Sequence, residues 1–293
     1  MNIRWTKDLQ NSIKNILPLI ASSAFSKSNI LIDRFFASSL SSGSITLLHY
    51  GEHIIKVISS FINKGISLVS LRKFSLYNED NGKFESLFYY VNKVIIFLCV
   101  PLLFGIAFFF NDTLKIIVFS EKLTPDIVSK LYLVIIALLG MFISGNLNSI
   151  LTNVFYAKKL TVLISKTNII TQIYGIILKI SMFYVLGFWG LPIAFSMTSL
   201  TVTVVLYYLY HKKINKLKIL SILNYLFKVT IISLIAVLIP KLIVIYFIDN
   251  WILIIILEWL IFAILFGIIS IKFERDISKS IINQLFKNNK ISK

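Results

Sequence analysis

The sequence predicts an all-α polytopic membrane protein of about eight transmembrane helices, with both termini cytoplasmic. Three observations predict it. Of the 293 residues 57% are hydrophobic and 15% charged, and the mean hydropathy is +0.84; soluble domains average about 45–50% apolar and about 25% charged. The apolar residues gather in runs near the roughly 20 residues that a helix needs to cross a bilayer. Lys and Arg collect on alternate connections between those runs. A water-soluble chain of this length needs far more polar surface, and disorder needs low hydrophobicity, so both are excluded.

In chain order, residues 1–15 form a basic segment with Arg4, Lys7 and Lys14. The apolar run at 16–21 is too short for the core of a signal peptide. Spans follow from apolar length at about 87–110, 127–157, 189–210, 222–248 and 251–271. A sixth, at about 162–186, is interrupted by Lys166, Gln172 and Lys179. Two weaker ones precede these. The span at about 16–40 carries Lys27, Asn29, Asp33 and Arg34, and that at about 45–71 carries His49, Glu52, His53, Lys56, Asn63 and Lys64. Residues 38–44 make a short uncharged turn, 74–86 a polar insertion inside and 111–126 a long external amphipathic stretch. Residues 273–293 form a basic tail with Ile277, Ile281, Ile282 and Leu285 at helical spacing. Cys99 is the single cysteine, so no disulfide framework exists.

Eight spans place both ends on one side, and the charges test that arrangement. Nineteen of the 30 Lys and Arg fall on the side of the termini, and three (Lys115, Lys122, Lys130) on the other. Basic loops mark the cytoplasmic face. This accounts for most of the +17 net charge without a nucleic-acid partner. A multi-pass protein of the inner (plasma) membrane is expected.

The weaker spans are retained because of where their polar residues fall. His49, Glu52, His53, Lys56, Ser60, Asn63 and Ser67 recur at steps of three and four, which is one helical stripe. Leu47, Leu48, Ile54, Ile55, Ile58 and Phe61 occupy the other faces. Lys27 and Arg34 are seven apart, and Asn29 and Asp33 four apart. Helices polar on one stripe fit a bundle that encloses a wet cavity, since charge at bilayer depth is costly unless it faces water or a partner. Lys27, Arg34, His53 and Lys56 would draw an anion such as phosphate or pyrophosphate into it. Asn29, Asp33, His49, Glu52 and Asn63 complete the candidate cavity.

Other patterns admit structural readings. His49-x-x-Glu52-His53 has the inverted zincin spacing, two ligands and a general base on one helical face. It lacks an obvious third ligand, with His211, Glu258, Asp33 and Asp249 as candidates. Asn146, Asn148, Ser149, Thr152 and Asn153, with Gly140 and Gly145, read as interhelical hydrogen bonding at close-packed small residues. Lys228 and Lys241 can snorkel or pair with Glu258. No phosphate loop, Ser-His-Asp set or paired-carboxylate motif occurs, so no enzyme chemistry and no cofactor are expected.

The wording of the first two spans carries a resemblance. Pro18, Ser26, Asn29, Asp33, Phe36-Ala37-Ser38, Leu40, Gly43-Ser44, Leu48 and Tyr50 resemble the start of the second half of the MurJ (MviN) family. These are the lipid II flippases of the multidrug/oligosaccharidyl-lipid/polysaccharide exporter superfamily. Asn153-Val154-Phe155-Tyr156-Ala157 and the stretch from Leu186-Gly187 through Gly190-Leu191 to Ser196 are similar to later family motifs. The resemblance covers about 16–213 and implies a six-helix lobe there, a final helix pair at 214–272 and a basic tail at 273–293. Family members have two such lobes with the site between them, a repeat architecture.

The resemblance implies movement of a lipid-linked, pyrophosphate-bearing cell-envelope precursor by alternating access, with membrane lipids around it. It also implies a first lobe, separately encoded or supplied by a second copy. The family's Asp-Arg pair after the tyrosine motif corresponds to Glu52 and His53, which keeps the acid but makes the cation dependent on pH. Arg34, His53, Lys56 and Lys27 are therefore expected at the anionic head group. Rival expectations are a polysaccharide-lipid or drug exporter of the same superfamily, a zinc protease built on His49, Glu52 and His53, and a non-functional truncated fragment.

Overall fold

A computed structural model describes residues 20, 35–36, 43–117, 124–247 and 251–273. Among the described residues the chain is helical apart from short turns. Its helices are α1 (Ser44–Leu76), α2 (Asn81–Ile117), α3 (Pro125–Ala157), α4 (Thr161–Leu186), α5 (Gly190–Lys213), α6 (Ile219–Phe247) and α7 (Trp251–Phe273). Each contains the span expected from its apolar run, apart from a residue at an end. By length and composition six stretches can cross a membrane, and one of them, Thr161–Lys213, is the α4–α5 pair taken as one. Each helix of that pair exceeds the roughly 20 residues a crossing requires, and the chain reverses between them. The remaining expected span, at 16–40, lies outside the described residues except for Ile20 and Phe35–Phe36.

Turn chemistry sets the reversals. Gly43 precedes α1 with φ +95°, a left-handed conformation that glycine adopts without strain, and its carbonyl accepts the Leu47 N–H at 3.0 Å. Gly187 ends α4 at φ +58°. Gly190 then lies against α4, where an added Cβ would stand 2.1 Å from the Met182 carbonyl oxygen. Asp80 opens α2, its carboxylate accepting the Lys83 N–H at 3.0 Å. That bond holds the Asp80 carboxyl below its usual value of 3.8. Pro125 starts α3, where its missing N–H costs nothing.

Helix extends into two expected connections, 74–86 and the described part of 111–126. Residues 74–86 turn only at Tyr77–Asp80, and α2 runs on through Ile117. Asp112–Lys115 at 2.6 Å lets polar residues continue that helix beyond its apolar core.

The described residues divide into two compact units. One takes its residues from Met1–Asn92 and Leu133–Leu217, the other from Lys93–Tyr132 and Lys218–Lys293.

In the first unit, Gly51 meets Val134, Ser59 meets Asn146 and Ser67 meets Asn153, so α1 and α3 run parallel. Likewise Met141 bonds Ser196 and Asn148 bonds Thr203, so α3 and α5 run parallel. Thr198 faces Gly175, Phe195 faces Lys179 and Gly190 faces Met182, so α4 returns antiparallel to α5. Phe88 stacks on Tyr210 at 4.0 Å, and Asn92 accepts the Tyr207 hydroxyl at 2.5 Å.

In the second unit, Phe109, Ala236, Val237 and Phe262 form a buried cluster with Trp259 against it. The Trp259 indole donates to Thr113 Oγ1 at 3.0 Å, and Tyr132 donates to the Ala107 carbonyl at 2.6 Å. Lys241 donates to the Phe108 carbonyl at 3.1 Å and stands 3.9 Å from Asp112. Glu258 is 2% exposed, and its Oε2 has no hydrogen-bond partner.

Candidate functional site

The polar stripe of α1 divides by what its neighbours consume. Toward its C-terminal half it serves structure. Asn153 donates to Ser67 Oγ at 2.8 Å and to the Ser67 carbonyl at 2.9 Å, and reaches Ser70 at 3.4 Å. Asn146 donates to Ser59 at 3.3 Å and to the Phe142 carbonyl at 2.7 Å. On the far side of α3, Asn148 donates to the Ser199 carbonyl at 3.2 Å and accepts from Thr203 at 2.8 Å. The Asn/Ser set of α3 thus bonds helix to helix, which also lets Gly140 sit against Ser196.

Toward its N-terminal half the stripe stays open. His49, His53 and Lys56 are exposed, whereas Glu52 is buried and accepts a charge-assisted bond from Lys56 one turn on. Glu52 is held there because Gly51 and Ile55 bring this part of α1 close to α3; a Cβ on Gly51 would stand 2.7 Å from Val134. Thr46, His49, Tyr50, Glu52, His53 and Lys56 line a cavity of about 560 Å³.

A second cavity, of about 710 Å³, begins at the same Glu52–Lys56 pair. It continues between α1, α3, α4 and α5 past Ser59, Ser60, Asn63, Gly145, Gln172, Lys179, Thr198 and Ser199. Lys179 is 4% exposed and holds its ammonium 4.0 Å above the Phe195 ring.

The structure therefore brings His49, Glu52, His53, Lys56 and Asn63 onto the two cavities. Lys27, Asn29, Asp33 and Arg34 lie outside the described residues. Lys179 and Gln172 were not among the expected site residues. Their signal was present, since they are seven apart and so share a face of α4. Among the described residues no three of His, Cys, Asp and Glu gather to hold a metal ion. Glu52 turns to Lys56, and His211 accepts the Leu217 N–H at 3.0 Å beyond the end of α5.

Fold and site together define a polytopic helical membrane protein with a cation-bearing polar cavity inside one helix unit. A family model described as "Lipid II flippase MurJ" matches residues 2–262, and the chain belongs to that family. It is similar to the "Probable lipid II flippase MurJ" of Vibrio cholerae serotype O1 (strain ATCC 39315 / El Tor Inaba N16961). The two are 24% identical over 194 residues, which are 66% of this chain and 37% of that protein. Among solved structures it is similar to "Lipid II flippase MurJ, inward closed conformation", with a TM-score of 0.76 and 20% identity. That likeness covers 94% of this chain and 57% of the solved one. The chain spans less than two thirds of the length of either relative.

Proposed function

We propose that this chain takes part in moving a lipid-linked pyrophosphate precursor of the cell envelope, such as lipid II, across the plasma membrane. The basic connections at the ends of α1, α3 and α5 lie on the cytoplasmic side in this reading. No bond is made or broken. The six-helix lobe forms one wall of an alternating-access pathway, and the other wall comes from a second lobe, separately encoded or in a second copy. His53 and Lys56 grip the pyrophosphate, with Arg34 and Lys27 beside them. Glu52 orients Lys56, His49 flanks His53, and Asn29, Asp33 and Asn63 line the cavity. The observation that carries the reading is the open cationic stretch His49–Lys56 on α1, at the mouth of two cavities, in a chain of the MurJ family. Charge-assisted hydrogen bonds to phosphate oxygens are about twice as strong as neutral ones.

The test is translocation in proteoliposomes. A fluorescent lipid-linked precursor is placed in the inner leaflet and read with an impermeant quencher. Chain-dependent acceleration, lost in a His53→Leu/Lys56→Met variant, is the expected result. No acceleration, either alone or with a first-lobe fragment of the family co-reconstituted, would overturn the proposal.

A further inference from the structure

The pair His49 and His53 carries a chemistry that charge alone does not use. Leu48, Gly51, Glu52 and Ile55 form the buried face of this part of α1, and Gly51 seats it on Val134 of α3. The helix is unbroken from Ser44 to Leu76, so the glycine between the two histidines does not loosen the turn that carries them. Each histidine follows a buried residue by one position, which rotates it about 100° out of the packed face. Four residues apart, the two share one stripe, with Cβ atoms about 5–6 Å from each other. Both are exposed and line the same open cavity of about 560 Å³. No hydrogen bond or ion pair with a described residue engages either ring. His211, by contrast, spends its Nδ1 on the Leu217 N–H at 3.0 Å.

Two imidazoles one turn apart on a helix are the ligand pair that helical zinc motifs use. Imidazole nitrogen suits Zn²⁺, Cu²⁺ and Ni²⁺, whereas Mg²⁺ and Ca²⁺ prefer oxygen ligands. We propose that His49 and His53 form a two-ligand site for a divalent transition-metal ion at the mouth of the outer cavity. Zn²⁺ takes four ligands, so two protein nitrogens leave positions open. Water fills them in the free chain. Resting on the head-group reading above, pyrophosphate oxygens replace that water when the lipid binds. The ion then adds a fixed double charge beside Lys56 and acts as a Lewis acid toward the phosphoryl oxygens. Glu52 is buried and turned to Lys56, so it is not placed as a general base, and the site binds rather than hydrolyses.

The test uses the full chain without a polyhistidine tag, in nanodiscs and stripped of metal by a chelator. Zn²⁺ alone is titrated by calorimetry, and Cu²⁺ alone is followed by electron paramagnetic resonance. Saturable binding of a single ion is expected, with the Cu²⁺ spectrum coupled to a pair of imidazole nitrogens. His49→Ala and His53→Arg lie at exposed positions outside the core. Each should remove that paired coupling and weaken Zn²⁺ binding at least about 10-fold, the lower end of what even an outer-shell partner costs. His211→Ala should leave both readouts unchanged. No saturable binding, or binding that neither substitution weakens, would overturn the site. In a second arm a polyprenyl pyrophosphate is titrated with and without Zn²⁺. Tightening of about 10-fold, absent in His53→Arg, is expected, the scale of one charge-assisted bond. Metal binding without that tightening would overturn the pyrophosphate's place on the ion and leave the metal site standing. Failure of wild type to bind the lipid under either condition would instead overturn the head-group reading.

Discussion

The two units solve the same problem, holding helices together in an apolar solvent, in opposite ways. The first uses polar side chains. Ser67, Ser70, Asn146, Asn148, Asn153, Ser196 and Ser199 bond α1 to α3 and α3 to α5. The second uses rings and aliphatics, with Phe109, Val237, Trp259 and Phe262 at its centre. Lipid tails are as apolar as leucine, so neither is held by hydrophobic burial alone; packing and interhelical bonds decide. The difference lies in what each design leaves over. Polar cross-bonding keeps a unit stable around wet, charged cavities. In the ring-packed unit polar side chains make isolated bonds, Trp259 to Thr113 and Lys241 to the Phe108 carbonyl, and Glu258 is buried with an unpartnered Oε2.

Substitutions can break this comparison. The largest effect is expected at the outer site. His53→Leu/Lys56→Met should weaken binding of a polyprenyl pyrophosphate about 100-fold, since hydrogen bonds to charged groups contribute about 1.5–3 kcal/mol each. Glu258→Gln in the other unit should leave that affinity alone; an equal loss there would refute the division of labour. His53→Arg, which keeps a cation at that position, should retain the affinity that His53→Leu loses.

The stability effects are smaller. Gly190→Ala drives a methyl into the Met182 carbonyl, which is backbone and cannot rotate away. A loss of about 1–3 kcal/mol or more should appear as a lower unfolding midpoint in detergent. Glu258→Leu should go the other way and stabilise the chain by about 1–3 kcal/mol, because it removes a buried unsatisfied group. Asn153→Leu should cost more than Trp259→Phe. The first loses bonds to Ser67 and Ser70 and the second a single bond to Thr113, at about 0.6 kcal/mol per membrane hydrogen bond. The smallest effect belongs to Asp80. Its depressed carboxyl contributes fully above 3.8, the usual value, and that contribution is lost only as pH falls through the lower folded value. Asp80→Asn should lower the unfolding midpoint slightly at about pH 7 and leave it unchanged at a pH below the folded value, where the carboxyl is already protonated.

These contrasts show what the sequence reveals. Helix ends were legible to within a few residues because membrane thickness fixes the apolar length, as for α3 and α4. Charged ends hid the true extent of α2, since Asp112 and Lys115 read as loop and pair as helix. The polar stripe of α1 was legible from its period. Its division was not, because Ser67 and His53 look alike along the chain. Only the facing Asn153 shows that one is spent on structure while the other remains open. Lys179 was visible as an interruption of a span, but its place on the same cavity as Lys56 depends on how α4 folds back along α5.

The central claim is that the N-terminal half of α1 holds the head group. A polyprenyl pyrophosphate bearing a photoreactive group beside its phosphates tests it most directly. After irradiation of the reconstituted chain, the account predicts adducts on the peptide containing His49–Lys56, suppressed by excess unlabelled lipid. Adducts confined to α6 and α7, or labelling of α1 that excess lipid does not suppress, would contradict it.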